Sequence, residues 1–132
     1  MAVEIRVLGP EDVDVLMKVA PGVFDYDVDV GATREFLADE RHHIVVALDA
    51  GAVVGFVSCV HYIHPDKPRP ELWINEVAVA STHRRRGIAT AMMREVFALG
   101  RRLGCGEAWV LTEHDNEAAL TLYTSAGGQR KE

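Results

Sequence analysis

Cysteine is scarce: Cys59 and Cys105 are the only two in 132 residues, far apart in the chain and each in apolar surroundings. A disulfide framework is therefore not expected. Two buried small hydrophobes in a reducing cytoplasm are the plain reading. No apolar run approaches the roughly 20 residues needed to cross a bilayer, so no membrane partner is expected. The first 14 residues turn acidic early and hold no long apolar segment, so no signal peptide is expected either. Basic charge is also short. Fourteen Lys and Arg stand against 20 Asp and Glu, for a formal net charge of −6. Such a balance argues against nonspecific nucleic-acid binding, which needs a basic footprint. Repeats, low-complexity tracts and linker-like segments are absent.

What remains fits one domain over residues 1–132, with 48% hydrophobic residues to build a core. The charge within it is uneven. Residues 1–40 hold ten Asp or Glu and three Lys or Arg, a balance of −7, whereas residues 81–102 hold six Arg and one Glu, a balance of +5. One part suits a cation, another an anion.

Hydrophobic periodicity predicts the order β-α-α-β-β-β-α-β-α. Val3, Ile5 and Val7 alternate with Glu4 and Arg6 as in a half-buried strand. Pro10, Glu11 and Asp12 suit the start of a helix, with Val13, Leu16, Met17 and Ala20 as its apolar stripe and Pro21-Gly22 as its stop. Thr33 to Glu40 reads as a second short helix. Two β-rich runs flank Asp49-Ala50-Gly51, a hairpin signal. After the proline-rich loop 64–70, residues 71–79 read as a strand. A helix follows with the stripe Ile88, Met92, Val96, Leu99 and Leu103, then a strand near 107–112. Asn116 to Ala126 reads as a last helix, closed by Gly127-Gly128. The unit 71–112 is a βαβ crossover, so its two strands are expected to be parallel. The fold class is thus α/β, with a mixed, partly antiparallel central sheet and flanking helices.

Arg84, Arg85 and Arg86 sit side by side ahead of Gly87. Three adjacent cations need water or an anion. A loop entering a helix leaves first-turn N–H groups unpaired at the positive end of the helix dipole, which is an anion site. Gly87 lets the backbone turn tightly near a bulky group, Ala89 keeps the next turn thin, and Thr90 offers a hydroxyl. A diphosphate matches this charge and geometry; a solvated basic loop with a glycine turn matches it too. The spacing fits neither GxxxxGK[ST] nor GxGxxG, so neither an NTPase nor a Rossmann dinucleotide site is indicated.

Arg84-x-x-Gly87-x-Ala89, after Asn75-Glu76-Val77-Ala78-Val79 on a strand, resembles the acetyl-coenzyme A signature of the GCN5-related N-acetyltransferase superfamily. The strand order and the later segment Asn116–Gly128 are similar as well, so the resemblance covers nearly the whole chain. Within the superfamily, residues 64–93 together with 119–127 look like the gentamicin-type aminoglycoside 3-N-acetyltransferases. The resemblance implies acetyl-CoA as cosubstrate, with the loop amides from Arg84 through Arg85, Arg86, Gly87, Ile88 and Ala89 to Thr90 holding its pyrophosphate. It implies that backbone groups of Val77 and Val79 pair with the pantetheine arm as an added strand would, and that Asn116 bonds the same arm. An ordinary N-cap suits Asn116 equally, and both roles can coexist. Family members continue past the last helix into another strand. This chain stops at Gln129-Arg130-Lys131-Glu132, so that final strand is expected to be missing or supplied by a second chain, as in a homodimer.

Acetyl transfer to an amine needs a neutral nitrogen, a polarised carbonyl and an acid for the departing thiolate. Glu76, beside Val77 on the strand lining the thioester, is the candidate base. In the aminoglycoside enzymes this position usually carries Asp. The longer Glu keeps the chemistry but relays through water or shifts the acceptor nitrogen. A solvated strand carboxylate is the alternative. Tyr123, seven residues and about two turns after Asn116, is the candidate acid; a core tyrosine with a surface hydroxyl is its alternative. A strand N–H near Val77 is the candidate oxyanion donor. Asp25, Asp27 and Asp29 share one face if their stretch is extended, and with Glu113 and Asp115 they would attract a polyamine sugar. A solvated loop with Asp29 capping the next helix competes with that reading. His61 and His64, three apart on a strand, point to opposite faces, and His42 and His43 are adjacent. No metal site is expected from either pair. His114 beside Glu113 suits an acceptor pocket.

The expected function is therefore an acetyl-CoA-dependent N-acetyltransferase acting on a small-molecule amine, an aminoglycoside, at its 3-amino group. Another polyamine or a peptide N-terminus is the second reading, and a catalytically silent acyl-CoA-binding module the third.

Overall fold

The computed structural model describes residues 2–110. Its sheet has five strands in sequential order: β1 (Glu4–Val7), β2 (His42–Asp49), β3 (Ala52–Tyr62), β4 (Glu71–Val79) and β5 (Glu107–Val110). The first four pair antiparallel, and β4 and β5 pair parallel, as the crossover predicts. The helices are α1 (Val30–Ala38) and α2 (Ile88–Arg102). The expected last helix lies outside the described residues.

The β2–β3 hairpin turns on two residues, with Asp49 opposite Ala52. Ala50 and Gly51 both take positive φ, 50° and 81°. This matches the twist of the flanking strands, and glycine is the residue that adopts it without strain. Residues on β3 then alternate between the two faces of the sheet. A side chain at Gly55 would meet Met92 of α2 at 3.1 Å, so α2 packs on that face. Phe56 points the other way and stacks on Phe24, centroids 4.3 Å apart. The segment before α1 therefore covers the face opposite α2. Val45, Val46, Val53, Val57, Met92, Met93 and Val96 are fully buried between these layers.

Two elements differ from the periodicity reading. Pro10–Met17 is a 3-10 helix rather than an α-helix. The Asp12 carboxylate accepts from the Gly9 amide at 2.7 Å and from Arg6 at 3.0 Å, and Asp12 itself leaves helical geometry. Met17 is 42% exposed. Ala20 leaves the stripe altogether, and its amide donates to the Val53 carbonyl at 2.8 Å. Finally, α1 begins three residues early because the Asp29 carboxylate accepts from the Ala32 amide at 2.7 Å and fixes its start.

Candidate functional site

The strand β4 carries a bulge. Glu76 faces Ser58 on β3, but Ile74 faces Cys59, so Asn75 is an extra residue. Strict alternation would place Glu76 on the α2 face with Leu72 and Ile74, both buried. The bulge turns it to the other face, that of Phe56, where the 21–29 segment lies. Asn75 and Glu76 are both exposed. Burial, and then the nearby Asp25 charge, raise the Glu76 carboxyl above its ordinary value. Asp25 is thus brought towards the candidate base. A carboxylate with a raised pKa is a better proton acceptor at neutral pH than an ordinary one.

The segment that holds Asp25, Asp27 and Asp29 is not a continuous strand. Residues 23–26 bend, 27–29 belong to no strand, and Asp29 is extended where the chain enters α1. The face shared by three alternating carboxylates is therefore not realised, because Phe24 turns in to stack on Phe56 and Asp29 is held as a cap. All three carboxylates remain exposed, as does Tyr26, at 88%.

At the far end of β4 the chain makes a single 3-10 turn (Ser81–His83) and enters the arginine loop. Arg85 and Gly87 both sit in the left-handed region, at φ 64° and 77°. Gly87 stands at the N-cap of α2 with no side chain capping the first turn, and nothing lies within 4 Å of where its Cβ would be. The first intrahelical bond is from the Ala91 amide to the Gly87 carbonyl, 3.0 Å. The helix therefore presents its opening amides beside open space, flanked by the exposed Arg84, Arg85 and Arg86. Ile88 is buried, so it offers the loop only its backbone, while Ala89 and Thr90 are half-buried. This cradle fits a diphosphate. Val77 and Val79 pair with Val57 and Gly55. The Val79 carbonyl also accepts from Arg84 Nε at 3.3 Å. Described β5 pairing reaches Ile74 and Val110.

Asn116, Tyr123, Glu113, Asp115 and His114 lie outside the described residues. Among those described, no group of three or more His, Cys, Asp or Glu side chains could hold a metal ion. No described helix is long and apolar enough to cross a membrane. Both cysteines are free thiols. Burial pushes the Cys59 thiol up to about 12, which leaves it inert.

The sequence profile of the Acetyltransferase (GNAT) family matches residues 14–127. The chain belongs to this family. Acetyltransferases of the GNAT family take their acetyl group from acetyl-CoA. Among curated proteins, N-acetyltransferase 8 of Rattus norvegicus is 33% identical over 98 residues, 74% of this chain and 44% of that protein. Probable N-acetyltransferase family 8 member 5 of Mus musculus is 35% identical over 98 residues, 74% of this chain and 43% of that protein. The chain thus spans less than half the length of these curated relatives. Among solved structures, an aminoglycoside acetyltransferase from an uncultured soil metagenomic sample superposes with a TM-score of 0.81 at 24% identity, covering 100% of this chain and 95% of that one. A second soil metagenomic aminoglycoside acetyltransferase, solved with sisomicin, gives 0.83 at 18% identity, with 98% and 90% covered. The enzyme AAC(6′)-Iy, bound to a bisubstrate analogue of CoA, gives 0.79 at 18% identity, with 100% and 94% covered. At these identities the likeness is one of fold.

Two contacts escaped the sequence reading. His43 Nε2 and His61 Nδ1 are 2.7 Å apart, and burial first, then the charges of His61 and His42, lower the His43 ring to about 4. His83 Nε2 lies 2.7 Å from the Asp49 carboxylate. A two-residue turn at 50–51 signalled the hairpin. Counted from that turn alone, His43 and His61 fall on opposite faces. A bulge at Ala47–Leu48 brings them to the same one.

Proposed function

We propose that this chain is an acetyl-CoA-dependent N-acetyltransferase whose acceptor is an amine of an aminoglycoside. The observation that carries the reading is one strand joining two kinds of site. β4 turns Glu76 out towards Asp25 through its bulge, and beyond its end at Val79 the chain runs through the 3-10 turn and the arginine loop to a left-handed glycine that opens an uncapped helix N-terminus.

The amides of the loop from Arg84 to Thr90 bind the pyrophosphate, and backbone groups of Val77 and Val79 align the pantetheine arm. The cosubstrate supplies the acetyl group as a thioester. Glu76 removes a proton from the acceptor ammonium, so the nitrogen lone pair can form the new bond to the acetyl carbon. The carbon–sulfur bond breaks, and Tyr123 gives the departing sulfur its proton. Asn116 steadies the pantetheine arm. Asp25, Asp27 and Asp29, with Glu113 and Asp115, attract the remaining ammonium groups of the acceptor. The phosphates are held beyond the Val79 end of β4 and the polycation on the sheet face that carries Glu76 and Phe56, in keeping with the uneven charge along the chain.

The sequence resemblance favours the 3-amino group as acceptor, whereas one solved fold neighbour is a 6′ enzyme. The test is a panel of gentamicin, kanamycin, spermidine and a peptide with a free N-terminus, each with acetyl-CoA and a thiol reagent, followed by mapping of the acetylated nitrogen. Gentamicin or kanamycin should release thiol fastest. If spermidine or the peptide outruns both by a wide margin, the aminoglycoside assignment is wrong and an acetyltransferase of another amine remains. Acetyl-CoA binding with no thiol release from any amine would instead favour a silent acyl-CoA-binding module.

A further inference from the structure

The loop that meets the coenzyme is anchored at its two ends and by two side chains between them, Arg84 on the Val79 carbonyl at 3.3 Å and His83. At one end Ala80 is 2% exposed, and its amide donates to the Val54 carbonyl at 2.7 Å. At the other end Ile88 is 6% exposed under α2. Of the seven residues from Ser81 to Gly87, every one is exposed except His83. That ring is held on both sides. Nε2 donates to the Asp49 carboxylate at 2.7 Å, and in the neutral ring Nδ1 accepts from the Thr82 hydroxyl at 2.7 Å. The two side chains are only 15% and 13% exposed, so solvent screens this contact less than it screens a surface pair. Asp49 is the last residue of β2, locked by the tight turn at Ala50-Gly51. Lys18 reaches the same turn from the other side, donating to the Ala50 carbonyl at 3.4 Å. A tight hairpin corner therefore holds the exposed basic loop through His83.

We propose that the Asp49–His83 pair is a positioning device for acetyl-CoA. It holds the 84–90 loop in the geometry that receives the diphosphate, and it touches neither the acceptor nor the reacting atoms. The proposal rests on the reading of that loop as the coenzyme cradle. Three charged side chains in succession repel one another, and the left-handed backbone of Arg85 is uncommon for a non-glycine residue. Without a tether the loop samples other conformers, and apparent affinity falls by the fraction that remains competent.

The test is calorimetric titration with acetyl-CoA on His83→Ala, His83→Gln, Asp49→Ala and the double variant, with Gly87→Val alongside. Loss of one hydrogen bond to a charged group corresponds to ~10-fold or more in the dissociation constant. His83→Ala and Asp49→Ala should each show that loss, and the double variant should lose no more than either single one. His83→Gln should recover most of the affinity, because its amide can donate to Asp49. Steady-state rates should show a raised KM for acetyl-CoA, with kcat at saturating acetyl-CoA and the KM for the amine within about twofold of the parent. Normal acetyl-CoA affinity in His83→Ala and Asp49→Ala, with affinity lost in Gly87→Val, would overturn the tether and leave the cradle standing. Normal affinity in all of them would overturn both. A loss shared equally by kcat and both KM values, unrescued by Gln, would make the pair merely structural and also sink the proposal.

Discussion

Gly87 offers the sharpest test of the proposal that the 84–90 loop holds the coenzyme phosphates. Its backbone sits at φ 77° and ψ 10°, a region that costs an L-residue roughly 1–2 kcal/mol. A β-carbon has room there, since nothing lies within 4 Å of its position. Gly87→Ala therefore perturbs the backbone without a clash. The exposed loop escapes the strain by leaving the left-handed basin, and acetyl-CoA must pull it back. One to two kcal/mol spent that way raises the dissociation constant about 5–30-fold. Gly87→Val should lose more, because a branched side chain resists this basin further and its methyl groups enter the space above the first-turn amides. Thermal unfolding reads the effect directly. At 100 times its dissociation constant, acetyl-CoA stabilises the parent by ~2.7 kcal/mol; a variant weakened about 30-fold gains only ~0.9 kcal/mol at the same concentration. For Gly87→Val the shift in melting temperature should vanish. A Val variant with the parent's full shift would mean that the loop does not hold the phosphates.

Glu76→Gln should lower turnover by ~10²-fold or more at neutral pH with acetyl-CoA affinity nearly intact, and should recover at high pH, where the amine is already neutral; an unchanged rate at every pH removes Glu76 from the mechanism. Asp25→Asn removes a negative charge that raises the Glu76 carboxyl, so the acid limb of the kcat/KM profile should move to lower pH, and a limb that stays fixed or moves up contradicts the pairing. Replacing Asp27 and Asp29 with Asn should raise the KM for the aminoglycoside more than it lowers kcat, with an effect that shrinks as salt rises. Asn caps helices as well as Asp, so the melting temperature should hold, and a drop in turnover alone would speak against binding by these carboxylates. The His43 ring is lowered from 6.5 to about 4. The unfolded chain therefore binds more protons between those values, and stability should fall as pH drops from 6.5 towards 4. His43→Phe should flatten that slope in a melting-temperature series, and an unaltered slope would assign it to other groups.

Periodicity was enough for the sheet's strands and for α2, because Ile88, Met92, Val96 and Leu99 form one buried stripe and β2 to β4 are long enough to average over irregularities. It was enough for the parallel β4–β5 pair because a helix separates them. It failed where a single extra residue changes the face. The bulge at Asn75 sends Glu76 away from the face of Leu72 and Ile74, and no residue type in that stretch announces it. The bulge at Ala47–Leu48 likewise hides the His43–His61 contact from any count made from the turn. In the acidic stretch, alternation of Asp with apolar residues suggested an extended face. The stacking of Phe24 on Phe56 and the cap made by Asp29 are tertiary and local hydrogen-bond effects that override that period. Pro10–Met17 shows the same competition, with Asp12 taking the Gly9 amide instead of continuing an α-helix. The turn at Gly87 and the start of α2 were legible because the signal there is chemical as well as periodic: a glycine at the turn and an apolar stripe that begins at Ile88.

The central claim is that this chain moves an acetyl group from acetyl-CoA to an aminoglycoside amine, with Glu76 as base. Its most direct test is one reaction followed two ways: thiol release from acetyl-CoA in the presence of gentamicin, with mass spectrometry of the antibiotic. Thiol should appear in step with gentamicin carrying one added acetyl group, and Glu76→Gln should slow both together at neutral pH. Thiol release without acetylated gentamicin, or acetylation at the parent rate in Glu76→Gln, would contradict the claim.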